Sequence, residues 1–117
     1  MAGNTICHVE WDVTDLQRAQ EFYGAVFDWT FRSFGEEMVV FGCGDKHLGG
    51  FMKVDRVAAG ASPSVWIEVE SIEGSMSKAV AAGGRELKGK GDVPGVGWSA
   101  VFGDPDGNRV GIVQFSA

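Results

Sequence analysis

The pattern of strands and helices in this sequence occurs twice, and the repeat restricts the folds open to the chain. Residues 5–13 alternate between apolar and polar side chains, which is the period of a half-buried strand. Residues 64–69 alternate in the same way, so that Leu16, just after the first strand, aligns with Ile72. In both places a segment of helical period follows the strand, and three short strands follow the helix. The sequence therefore predicts two β-α-β-β-β modules.

Two helices are predicted from apolar spacing and from capping residues. The first spans about residues 15–27 and opens with Thr14 and Gln17, which have the spacing of a capping box. The second begins after Ser71, a favoured N-cap residue, and ends at Gly83. Apolar residues recur through the first helix at intervals of three and four, and we expect this stripe to pack on a sheet. The stripe consists of Leu16, Ala19, Phe22, Tyr23, Val26 and Phe27.

Turn-forming residues divide the rest of the chain into short strands. These strands lie near residues 29–31, 38–41, 48–54, 85–90, 97–103 and 109–115. The small and polar segment 55–62 predicts a linker between module one (residues 1–55) and module two (residues 63–117) of a single domain. Neither module alone closes a core, because one helix and four strands leave an open edge. We expect an α+β fold in which the modules form a curved mixed sheet, with a concave ligand face and the helices outside.

Charge and composition restrict the partners of the chain. The 117 residues carry a formal charge of −6, and no Lys/Arg cluster offers the counterion release on which nucleic-acid binding depends. No apolar run approaches the roughly 20 residues that span a bilayer, and the N-terminus has no signal-peptide pattern. Two cysteines are too few for a disulfide framework. We expect a cytoplasmic protein with a small-molecule partner, and neither nucleic acid nor membrane.

Two stretches resemble the glyoxalase / bleomycin-resistance / extradiol dioxygenase family, also called the vicinal oxygen chelate family. Residues 8–16, HVEWDVTDL, continuing to Phe22 and Tyr23, are similar to the opening strand and helix of that family. Residues 104–108, DPDGN, are similar to its closing turn, and residues 94–98 resemble a glyoxalase-like subgroup. The resemblance covers nearly the whole chain. It implies the fold predicted above and a homodimer, since sites in this family form between paired halves.

The resemblance also implies a divalent metal, held by one residue on the first strand and one on the last strand of each module. His8 matches the first of these ligand positions, and its counterpart in the second module is Ser64. The two positions on last strands fall at Gly49 or Gly50 and at Gly111, and the resemblance implies a carboxylate at the second of them. A divalent ion of this kind needs three or four protein ligands. We therefore expect no metal cofactor at the familiar site, and a divalent metal is possible only with ligands displaced in register or supplied by a second subunit.

His8 and Glu10 are the candidate catalytic residues, because they lie two residues apart on one face of the first strand. They could form an acid/base pair, an incomplete metal site or an ion pair that lines a wet pocket. His47 follows Asp45 and Lys46 in a turn-like context, where exposure is expected. The alternative is that His47 joins His8 and Glu10 in an unorthodox metal site.

Candidate ligand-binding residues share the strand parity of His8 or lie near the ends of strands. Trp98 is placed at the pocket mouth, and Glu68 near a strand end. The aromatic and apolar members would suit a flat apolar ligand, or they fill the groove as ordinary core, whereas Glu68 could also be solvated or cap a helix. The set consists of Met52, Trp66, Glu68, Trp98 and Val113.

These residues favour one function and leave two others open. We expect a small-molecule-binding protein with a degenerate metal site, which takes an apolar or aromatic ligand in the concave face. The alternative is a metal-dependent lyase, isomerase or dioxygenase of the glyoxalase type that uses His8 and Glu10. A third interpretation is a structural module at a subunit interface.

Overall fold

A computed structural model describes residues 3–116, which form two compact units. The first unit comprises residues 7–64, and the second comprises residues 65–116 together with residues 3–6. Each unit contains one helix and four strands in the predicted β-α-β-β-β order. The predicted α+β class and the repeated module are therefore confirmed.

Four strands of the first unit form a mixed sheet in the order β2-β3-β4-β1. Strand β1 runs parallel to β4, and the other two pairs are antiparallel. In chain order its elements are β1 (Ile6–Val13), α1 (Leu16–Phe27), β2 (Thr30–Ser33), β3 (Met38–Cys43) and β4 (Lys46–Lys53).

The second unit repeats this arrangement, with the order β5-β8-β7-β6 and a parallel β5–β8 pair. In each unit the first strand of the module therefore lies beside its last strand, as β5 beside β8 and β1 beside β4. Its elements are β5 (Ser64–Glu68), α2 (Ile72–Ala81), β6 (Arg85–Val93), β7 (Gly97–Gly103) and β8 (Arg109–Phe115).

Helix α1 packs on its sheet through a narrower face than its apolar stripe predicts. Ala19 is buried, and Tyr23 packs against fully buried Phe51. Phe22 and Val26 remain 60% and 56% exposed, so their expected place in the core is wrong. Each residue advances about 100° around a helix. Phe22 therefore lies well to one side of Tyr23. Phe27 is also half exposed, and its ring contacts those of Tyr23 and Trp29.

The first helix is capped by Asp15, and the predicted capping box with Thr14 as its cap is wrong. Asp15 Oδ1 accepts a hydrogen bond from the Arg18 amide at 3.0 Å, while Thr14 Oγ1 accepts from the Arg18 guanidinium. Gln17, the other half of the predicted box, donates to Glu21 instead. An ionised carboxylate accepts an orphan helix amide more strongly than a hydroxyl does, which favours Asp15.

Helix α2 begins as predicted, because Ser71 Oγ accepts from the Gly74 amide at 3.0 Å. Its apolar face covers one side of the second sheet. The buried cluster there consists of Val69, Ile72, Met76, Ala100 and Ile112, with Ile67, Trp98 and Phe102 packed against it. Neither helix within residues 3–116 is long and apolar enough to cross a membrane.

Candidate functional site

His8 and Glu10 lie on the face of the first sheet that points away from α1. The next residue, Trp11, belongs to the α1 core, so strand alternation turns its neighbours to the opposite side. His8 Nε2 is 3.1 Å from Glu10 Oε1, and the two side chains are 18% and 16% exposed. The sequence-predicted pair is thus in direct contact and largely screened from water.

His47 joins this pair from strand β4, and the turn predicted around it is wrong. Strand β3 continues to Cys43, so the hairpin turns tightly at Gly44 and Asp45 and leaves His47 opposite Gly42. Gly44 permits this turn through its φ of 60°. His47 is exposed, as expected, and its ring contacts His8.

The two imidazole rings meet end to end. His8 Nδ1 and His47 Nε2 are 2.8 Å apart, the ring centroids are 5.1 Å apart, and the planes differ by 15°. The centroids can be this far apart only if both nitrogens lie on the line that joins them. The contact is therefore an in-line hydrogen bond between nearly coplanar rings, not face-to-face stacking.

Hydrogen bonding orders the protons along Glu10, His8 and His47. An ionised Glu10 only accepts, so His8 donates its Nε2–H to it. In a neutral His8 ring the Nδ1 atom is then an acceptor, and His47 must donate its Nε2–H. A neutral His47 is left with an Nδ1 lone pair that takes no part in this chain of bonds.

The surroundings of His47 favour its neutral form. Partial burial lowers the pKa of His47 from its ordinary value of 6.5, and the nearby His8 and Arg32 lower this pKa further. The ring borders a groove of about 220 Å³ at the β3–β4 hairpin, which Arg32, Lys46 and Asp45 also line. At neutral pH His47 therefore offers an unprotonated nitrogen beside positive charge.

Gly50 lies beside this polar chain on strand β4, in register with Glu10. A Cβ atom at Gly50 would lie 3.4 Å from both His8 Cε1 and Met38 Sδ. Met52 is two residues further along β4 and pairs with Met38, so it shares the same face. Strands β3 and β4 thus each present one thioether side chain to this face, and Gly50 offers no side-chain ligand atom.

In the second unit Trp66 lies over Gly111. The two residues pair between β5 and β8, and a Cβ atom at Gly111 would fall well within 3.0 Å of the indole ring. The ring therefore occupies the space that a side chain at Gly111 would need. Strand alternation places Glu68 and buried Val113 on this same face, where they are paired.

Trp98, which the sequence placed at the pocket mouth, lies on the opposite face of the second sheet from Trp66. It packs against the α2 core cluster, two residues before buried Ala100, and Lys90 Nζ lies 4.8 Å from its ring centroid. Because residues two apart on a strand point to the same face, Trp98 and Ala100 both point toward α2.

Among residues 3–116 no group of three or more His, Cys, Asp or Glu side chains is placed to hold a metal ion. A metal between His8 and His47 would need about 2 Å to each nitrogen, whereas the in-line gap of 2.8 Å fits a shared hydrogen. Each nitrogen of His8 already faces a hydrogen-bond partner within this chain.

Solved structures of three enzymes share this fold. A Mn(II)-bound glyoxalase from Novosphingobium aromaticivorans matches with a TM-score of 0.73 at 18% identity, over 97% of this chain and 39% of that one. A variant of methylmalonyl-CoA epimerase from Streptomyces coelicolor matches at 0.70 and 13% identity, over 97% and 99%. A variant of homoprotocatechuate 2,3-dioxygenase from B. fuscum matches at 0.68 and 22% identity, over 99% and 34%. At these identities the likeness concerns the fold alone.

Sequence relatives and a family model give the family. Two curated proteins named "Putative glyoxylase CFP32", from Mycobacterium bovis and Mycobacterium tuberculosis, are 34% identical over 107 residues, which is 88% of this chain. The chain spans 40% of the length of these relatives. Residues 5–112 match the family model described as Glyoxalase/Bleomycin resistance protein/Dioxygenase superfamily. The chain therefore belongs to the glyoxalase/bleomycin resistance protein/dioxygenase superfamily.

Proposed function

We propose that this chain binds a small apolar or aromatic organic molecule and that its metal site is degenerate. The observation that carries the proposal is the indole of Trp66 lying over Gly111. The family resemblance assigns a carboxylate ligand to that position, and here an aromatic ring takes its place. A ring of this size offers a flat apolar surface on which an aromatic or aliphatic group can stack.

The other family ligand positions support the same proposal. Neither Gly49 nor Gly50 supplies a side-chain donor atom, and His8 directs its two nitrogens at Glu10 and His47. Met52 shares its face with His8, and a methionine adapts to ligands of different shape. The proposed ligand therefore needs an apolar body that can lie against a surface such as the Trp66 ring, and a polar group that can hydrogen-bond.

Ligand-dependent melting of paired tryptophan variants tests this proposal. A panel of flat aromatic compounds is screened against the wild-type protein, and each hit is repeated on Trp66→Ala and on Trp98→Phe. A ligand at 100 times its Kd stabilises the folded state by about 2.7 kcal/mol. We expect the shift to disappear in Trp66→Ala and to persist in Trp98→Phe, because Trp98 packs on the α2 side. No shift with any compound, or an equal loss in both variants, would contradict the proposal.

A metal-dependent lyase, isomerase or dioxygenase is the second candidate. It is supported by the contact of His8 with Glu10, which would place a proton-accepting carboxylate beside a ligand. The measurement that separates it from the first proposal is an activity that requires added metal and is lost in both His8→Ala and Glu10→Ala. An activity that survives either substitution would exclude this candidate.

A cytoplasmic location stays a prediction from the two cysteines. A homodimer is a further part of the proposal. The support for self-association is the exposed apolar face of α1, where Phe22 and Val26 stand one turn apart. Light scattering of wild type and of Phe22→Ser tests it, since a monomer in the wild type at high concentration would contradict the dimer.

A further inference from the structure

Glu10, His8 and His47 form a hydrogen-bonded line with one acidic end and one basic end. The carboxylate of Glu10 terminates it on one side, and the Nδ1 lone pair of His47 on the other. The in-line contact of 2.8 Å between the rings is short enough for a proton to pass from one nitrogen to the other. A histidine oriented by a carboxylate is a general acid/base arrangement, and here a second histidine extends its reach.

We propose that these three residues are a metal-independent proton relay, in which His47 Nδ1 is the base that takes a proton from a small carbon acid bearing a carboxylate. The inference rests on the proposed small-molecule binding and concerns the acidic group that such a molecule would carry. Arg32 is the group that selects an anion, because it borders the same groove as His47.

The transfer can be written as a balanced sequence. The C–H bond of the bound acid breaks, its electron pair stays on the substrate as an enolate, and a new N–H bond forms at His47 Nδ1. The proton on His47 Nε2 then moves to His8 Nδ1, which leaves His47 neutral. His8 becomes an imidazolium that donates to both Glu10 and His47, so the positive charge rests beside a carboxylate. The reverse sequence returns a proton to the substrate.

The charged groups around His47 suit this direction of transfer. His8 faces it from β1 and Arg32 lies nearby on β2, while Lys46 and Asp45 adjoin it at the hairpin. Because Arg32 lines the same groove, its positive charge disfavours a second positive charge at His47, and the proton is held more favourably beside the Glu10 carboxylate. His8, being largely screened from water, holds that proton next to its counter-charge.

The relay can be tested directly because the chain has only two histidines. In protein labelled with ¹⁵N-histidine, long-range proton–nitrogen spectra distinguish protonated from bare ring nitrogens, and His8→Gln and His47→Gln assign the signals. At neutral pH we expect both rings to carry their proton on Nε2 and to show a bare Nδ1. A His47 ring protonated on Nδ1 would overturn the donor order and the relay with it, whether or not the protein binds a ligand.

Hydrogen exchange on a probe tests the chemistry. The probe is pyruvate in D₂O, whose methyl signal disappears as deuterium replaces hydrogen. General acid/base catalysis contributes on the order of 10²-fold or more. We expect about that loss of protein-dependent exchange in His47→Gln, and a loss in Glu10→Gln but none in the exposed control Glu37→Gln. Equal exchange in wild type and His47→Gln would overturn the proposal. Histidine spectra of both proteins recorded with pyruvate show whether pyruvate binds. The aromatic panel described above shows whether the proposed ligand binding fails as well.

Discussion

Replacement of Gly111 by alanine probes the contact that carries the proposed function. The backbone of Gly111 lies outside the left-handed region, so alanine meets no conformational strain there. The new methyl would overlap the Trp66 ring, which must move by about 1 Å to reach the 3.4 Å at which ordinary contact begins. Overpacking costs about 1–3 kcal/mol, and removing a strand glycine returns roughly 0.5–1 kcal/mol. We expect a net loss of about 1–2 kcal/mol in the free energy of unfolding.

Gly50→Ala is the matched control, because Gly50 pairs with β1 as Gly111 pairs with β5. Its Cβ would meet its nearest neighbours at 3.3–3.4 Å, two of which are the movable side chains of His8 and Met38. We expect a change within about 0.5 kcal/mol of wild type.

Urea unfolding of the two glycine variants, alone and combined with Trp66→Leu, completes the test. Removal of the indole should make Gly111→Ala nearly harmless, which gives a coupling energy of about 1 kcal/mol or more between positions 66 and 111. If Gly111→Ala is as mild as Gly50→Ala, or if Trp66→Leu does not change its cost, then the ring does not cover Gly111 as described.

Two further substitutions test local features of the fold. Asp15→Ala should cost about 1 kcal/mol in urea unfolding through loss of the α1 N-cap, while Thr14→Ala should cost less; equal costs would contradict the assignment of Asp15 as the cap. The hydrogen bond from the Asn108 side chain, together with backbone amides, lowers the pKa of Asp104 below its usual 3.8. The folded state therefore favours the carboxylate, and this contribution to stability is present above about pH 4 and lost as the pH falls through the lower folded pKa. Asp104→Asn should lower the urea midpoint at pH 7, and the difference from wild type should shrink toward pH 2; a constant difference would contradict this account.

Strand and helix periods predicted most of the fold, because each module repeats one simple pattern. The alternation in residues 5–13 and 64–69 gave the first strand of each unit, and Ser71 marked the start of α2. The direction of Phe22 could not be predicted, since an amphipathic stripe wider than the sheet contact leaves its edge in water. The exposed residues on α1 depend on packing geometry, which the period alone does not contain.

Parts of the candidate site could also be predicted from the sequence. The two-residue spacing of His8 and Glu10 predicted their contact on one face of β1. The approach of His47 depends on how tightly the β3–β4 hairpin turns, and Gly42 to Asp45 offered several turn positions. The in-line geometry of the two imidazoles and the overlap of Trp66 with Gly111 follow from strand register, which short strands rich in glycine do not specify by themselves.

Metal content is the measurement that tests the central claim most directly. Purified, tag-free protein is loaded with Ni, Zn, Mn or Fe(II), passed through a desalting column and analysed for metal, next to His8→Ala. With glycine at two of the ligand positions that the family resemblance implies, and both nitrogens of His8 engaged, we predict well under one equivalent of retained metal and no effect of His8→Ala. Near-stoichiometric metal that is lost in His8→Ala would contradict the degenerate site and favour a metal-dependent enzyme.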